Sequence, residues 1–149
     1  MKLLLGAFLI IGFHFNSLSQ EIIETEEVEI GCLILGRGVS GEKIFTNNSD
    51  YQSLLEHRSP HSDCVGYQLP IIDFKKHTLL SYVGGAGGCD TPEVSCEVER
   101  ESEQINVNIQ ITEFGYCLPL HPVKIQVLIP RIESNSEVEF HVETKIKEK

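Results

Sequence analysis

The chain has 149 residues, a net charge of −10, no tryptophan and only 7% aromatic side chains. That balance excludes a phosphate-binding basic surface, and with it most nucleic-acid binders. A hydrophobic content of 41% excludes a wholly disordered chain, and a mean hydropathy of −0.05 excludes a chain built of membrane spans.

Lys2 is followed by an apolar run from Leu3 to Phe15, broken only by Gly6, Gly12 and His14. Ser17 and Ser19 sit where a signal peptidase requires small residues, so residues 1–19 read as a signal peptide cleaved before Gln20. The run is too short to span a bilayer, which takes about twenty residues. The next cysteine, Cys32, lies far behind it, so no lipid anchor is expected. The chain is therefore expected in the periplasm or outside the cell.

Residues 20–30 carry Glu21, Glu24, Glu26, Glu27 and Glu29 and read as an acidic, partly disordered leader. Residues 31–145 read as a single α+β domain. Asn47-Asn48-Ser49 is a turn signal, and Ser49 with Gln52 has the spacing of a capping box. Tyr51, Leu54 and Leu55 then fall on one helical face, and Ser59-Pro60 ends the helix.

Leu79 to Val83 reads as a central strand, apolar on both faces, which Gly84, Gly85, Gly87 and Gly88 interrupt as a loop. Alternating rows follow: Val94, Cys96 and Val98; then Ile105, Val107, Ile109 and Ile111; then Val123, Ile125, Val127 and Ile129, with Leu128 breaking the polar side; then Val138, Phe140 and Val142. Period-two alternation describes strands with one buried and one wet face. The expected fold is α+β: an antiparallel β-sheet of five or more strands with one short packed helix.

Ile72 to Leu80, the glycine stretch ending in Cys89, Gly115-Tyr116-Cys117, Val127 to Arg131 and the closing Val138-Glu139-Phe140 together resemble the C-terminal domain of the protease-complex subunit (PrcB-like) family, over about residues 69–142. The resemblance implies a small α+β domain of an exported bacterial protein that supports a secreted protease complex. It implies no catalytic residues. Its named member is a lipoprotein, whereas no lipid-attachment cysteine is visible here.

Five cysteines follow the apolar run: Cys32, Cys64, Cys89, Cys96 and Cys117. Cys96 belongs to an apolar row, where a free thiol behaves as a small hydrophobe. Cys89 and Cys117 each sit beside a glycine-containing turn, in loops flanking strands expected to be neighbours, so Cys89–Cys117 and, with it, Cys32–Cys64 are the expected bridges, and Cys89–Cys96 is the competing pattern.

His57, His61 and Asp63, beside Cys64, are the only dense cluster of metal-capable residues. Pro60 breaks the helix between the histidines, and a bridged Cys64 is no thiolate ligand, so no metal and no other cofactor is expected. No catalytic residues are assigned: Ser40 lacks the Gly-x-Ser-x-Gly elbow, and the carboxylates lie on wet strand faces. The reading is an exported, non-enzymatic accessory or protein-binding module, its partner another exported protein and its candidate contact loop Gly84, Gly85, Gly87 and Gly88. The alternatives are a small secreted metal-dependent hydrolase using the His57–Cys64 loop, or a protease inhibitor presenting the glycine loop.

Overall fold

The computed structural model describes residues 20–32, 40–57, 59, 64–133 and 135–148. Residues 1–19, read from the sequence as a signal peptide, and His61 and Asp63 lie outside the described residues. The strands are β1 (Glu21–Ile22), β2 (Glu26–Glu27), β3 (Gly41–Phe45), β4 (His77–Ala86), β5 (Glu93–Glu101), β6 (Gln104–Phe114), β7 (His121–Pro130) and β8 (Glu137–Lys147). Among the described residues between β3 and β4 lies one short helix, α1 (Asn48–Gln52), which tightens into a 3-10 helix over Ser53–His57.

The fold is α+β, and its strands divide over two four-stranded sheets, β1-β5-β6-β8 and β2-β7-β4-β3. Every strand pair is antiparallel except β6 with β8, which is parallel. The chain crosses from β6 to β7 in the other sheet and back to β8. Two crossings restore the original direction.

The alternating rows explain the two layers. Ile105, Val107, Ile109 and Ile111 of β6, with Val98 of β5, pack against Val123, Ile125, Val127 and Ile129 of β7 and Leu80 of β4. The opposite face of β4 and β7 presents Leu79, Val83 and Leu128 to Phe45, Tyr51, Leu54, Leu69 and Phe74. The β4–β7 sheet is thus covered on both faces, which is why Leu128 stands where a wet-faced strand would place a polar residue.

The helix starts two residues earlier than its capping-box spacing predicts. Asn47, not Ser49, is the N-cap: its Oδ1 accepts from the Asp50 N–H at 2.9 Å, and its Nδ2 donates to the Asp50 carboxylate at 2.7 Å. Tyr51 and Leu54 are buried, as the apolar face requires.

The acidic segment is not a free leader, and the expectation for residues 20–30 is corrected. Glu21 and Ile22 pair with Arg100 and Glu99 of β5, and Glu26 and Glu27 pair with Leu128 and Val127 of β7. The segment therefore bridges the two sheets along one edge. Its charges point to water while Ile23 and Ile30 are buried in the two cores. Two isoleucines outweigh five carboxylates here, because exposed carboxylates lose no hydration on folding.

Cys32 bonds Cys64, with Cα atoms 5.4 Å apart, and Cys89 bonds Cys117, with Cα atoms 4.7 Å apart. Cys96 is a free thiol, packed at the edge of the inter-sheet core.

Candidate functional site

The glycine stretch is not the loop its composition suggests. β4 continues through it: Gly84 pairs with Val123, Gly85 with Pro122 and Ala86 with His121. The missing side chains make room for neighbours. A Cβ on Gly84 would stand 2.6 Å from the Tyr82 hydroxyl, and one on Gly85 would stand 3.0 Å from a Leu120 methyl. Gly88, at φ +125°, lies against the Phe114 backbone, where a Cβ would come within 3.1 Å of both N and O. An alternation argument has no side chain to read at a glycine, so this continuation was hidden.

Past β4 the chain is tied down on several sides. The Gly87 N–H donates to the Glu113 carboxylate at 2.6 Å, and the Cys89 N–H donates to the Phe114 carbonyl at 2.6 Å. His121 Nε2 lies 3.3 Å from the Gly88 carbonyl oxygen. The Gly115 N–H donates to the Lys147 carbonyl at 3.0 Å. The Cys89–Cys117 bridge completes the frame. Gly84 and Gly85 are therefore strand residues and not a presented, freely moving loop.

What this frame displays is the β6–β7 connection. Tyr116 is 75% exposed, Leu118 101% and Leu120 75%. Three large apolar side chains thus stand in water around a cystine, on a segment bounded by Gly115 and Pro122. Gly85 lies beneath Leu120 of this connection, and the connection itself carries the exposed side chains. The signal available in the sequence was a run of apolar residues around Cys117 that belongs to no alternating row.

A second feature is an open cleft of about 610 Å³ between the acidic segment and strands β5 and β7, with Thr25, Glu27, Ser95, Cys96 and Lys124 among its walls. Burial, with Glu27 adding to it, pushes the Cys96 thiol up from 9.0 to about 11. The sulfur keeps its proton at neutral pH and lacks the thiolate character of a nucleophile.

His57 ends the 3-10 helix and is half-buried. Cys64, the sulfur nearest it in sequence, is consumed by the bridge to Cys32. Among the described residues no three His, Cys, Asp or Glu side chains converge on a point where a metal could bind. Among the same residues no helix is long and apolar enough to cross a membrane.

No protein-family model, no curated protein and no solved structure matches the chain.

Proposed function

We propose that this chain is an exported, non-enzymatic accessory protein that binds another exported protein through the tip built on the Cys89–Cys117 bridge. The observation that carries the reading is the exposure of Tyr116, Leu118 and Leu120 on a segment fixed by a disulfide and by backbone hydrogen bonds. Exposed aromatic and aliphatic side chains grouped within polar surroundings mark protein-contact surfaces. Fixing them in advance lowers the ordering entropy that association costs.

Two disulfides suit an oxidising compartment, in line with the signal-like N-terminus. The partner's class comes from the resemblance to the protease-complex subunit family, whose matching stretch contains the whole tip. Support of a secreted protease complex is accordingly the role put forward.

The test is a photocrosslinking amino acid at Leu118, in cells that export the chain. A discrete adduct with one partner protein is expected, and it should be lost when Tyr116 and Leu120 are changed to serine. An adduct pattern no different from that of the same probe at Glu97, an exposed residue of β5, would overturn the assignment.

A further inference from the structure

The edge of the β1-β5-β6-β8 sheet carries an inference independent of the tip. β8 is eleven residues long and ends its sheet, pairing only with β6 among the described strands. A long open edge presents a row of unpaired N–H and C=O groups, ready to accept another strand. Two of its inward-row side chains lack cover: Val142 is 38% exposed and Ile146 48%. At the same edge Ile44, Ile132 and Val138 line a shallow groove of about 350 Å³.

The sequence of β8 says what fits there. It reads Glu-Val-Glu-Phe-His-Val-Glu-Thr-Lys-Ile-Lys from 137 to 147. Its acids begin it and its bases end it. Laid antiparallel against its own copy about Val142, it sets Glu137 opposite Lys147, Glu139 opposite Lys145 and His141 opposite Glu143. The other face sets Val138 opposite Ile146, Phe140 opposite Thr144 and Val142 opposite itself. Directly opposed residues interact most strongly, and opposite charges there are favourable. A slip of two residues either way opposes carboxylates: Glu139 to Glu143 in one direction, Glu143 to its own copy in the other. A slip of one residue turns the apolar row to the polar face. Only the Val142-centred register satisfies the whole strand.

We infer that the chain forms a two-fold symmetric homodimer by antiparallel β8–β8 pairing centred on Val142, which joins two four-stranded sheets into one of eight. Such an interface is isologous, each copy offering the same strand. The side-chain pairs within one protomer are exposed and contribute little, so they yield to it. Lys145 to Glu143 at 3.1 Å, Lys147 to Glu93 at 3.9 Å and His141 to Glu139 at 3.9 Å all join side chains at least half exposed and free to exchange partners.

Charge reversal tests the register. The full chain, produced in an exporting host, is followed by analytical ultracentrifugation over a concentration series reaching the millimolar range. The unaltered protein should sediment as a dimer. The pair Lys145→Glu with Lys147→Glu should be monomeric, and so should Glu137→Lys with Glu139→Lys. An equimolar mixture of these two variants should restore a dimer, and so should the fourfold reversal within one chain. A monomer throughout the series for the unaltered protein, or self-association by both double variants, would overturn the inference.

A second readout does not depend on charge. Val142 alone faces its own copy, at the Cα separation of about 4.5–5.5 Å found across antiparallel strands, which a disulfide can span. Val142→Cys in a Cys96→Ser background should oxidise to a covalent dimer under non-reducing conditions. Failure to cross-link there, where Glu143→Cys cross-links equally poorly, would count against the pairing.

Discussion

Gly115 sets its bare Cα against the sulfur of Cys89: a Cβ at that position would stand 2.8 Å from Sγ, at a φ of +73°. The left-handed turn at Gly115 is what swings Cys117 back to within 4.7 Å, Cα to Cα, of Cys89. A side chain meets two penalties there. The conformation disfavours it, and a cross-linked sulfur has no rotamer in which to move away. Gly115→Ala should therefore destabilise the fold by about 1–3 kcal/mol. Urea unfolding under oxidising conditions measures this, and an unchanged midpoint would refute it.

The acidic segment makes a second, sharper contrast. Ile30 is 2% exposed, its N–H donates to Gln126 Oε1 at 3.2 Å, and the next N–H, of Gly31, donates to the Tyr67 hydroxyl at 2.9 Å. Val28 adds a ladder-like bond to the Gln126 carbonyl at 2.8 Å. Ile30→Ala should cost about 2–5 kcal/mol, the range for emptying a buried aliphatic site. Glu29→Gln, one residue earlier and exposed, should stay within about 0.5 kcal/mol of the unaltered protein. Thermal or denaturant unfolding of the two variants compares them directly. Equal, small effects would mean that the segment is a loose leader after all.

The contrast shows what the sequence made legible. The rows of β6 and β7 were readable because isoleucine and valine at every second position admit one interpretation, and Cys96 inside such a row left four cysteines to pair. Alternation states that a face is buried, not what buries it, so the division into two sheets had only Leu128 as its sign. Residues 20–30 misled because charge dominated a segment whose two anchors, Ile23 and Ile30, are seven residues apart and show no period. The glycines misled for the opposite reason: they offer no side chain to alternate, and their cover comes from Tyr82, leaning along its own strand over Gly84, and from Leu120, on a distant connection. The self-complementary charge order of β8 was present from the start, but it acquires meaning only once β8 is known to be an edge.

Tyr51 is fully buried between Phe45 and Phe74, in edge-on contacts with ring centroids 6.0 and 5.5 Å away. Its hydroxyl has no hydrogen-bond partner among the described residues. An unpaired buried hydroxyl costs more than it returns, so Tyr51→Phe should raise stability by about 1 kcal/mol. Burial, and secondarily Tyr67, pushes its phenol up from 10.0 to about 12. A folded-state value above the unfolded one means that the contribution is whole below about pH 10 and is lost as pH climbs through about 12. Unfolding free energies measured from pH 8 upward should fall less steeply in the phenylalanine variant. A variant less stable than the parent at neutral pH would reveal a partner for the hydroxyl.

Cys96 provides the last test, because its sulfur borders an open cleft yet stays protonated. Burial and the Glu27 carboxylate raise the thiol from 9.0 to about 11. Each unit withholds tenfold of the thiolate, so alkylation by iodoacetamide at pH 8 should run about a hundredfold slower than at an unperturbed cysteine. The rate should keep rising up to about pH 11 instead of levelling near 9.0. Glu27→Gln removes the smaller of the two causes, so it should move that midpoint down while leaving it above the ordinary value. The same sign governs stability: the thiol's contribution is complete below about pH 9 and disappears through about pH 11, and Cys96→Ser should abolish that part of the alkaline loss. An alkylation midpoint at or below 9.0 in the folded protein would show the sulfur to be solvated, and would remove it from the edge of the inter-sheet core.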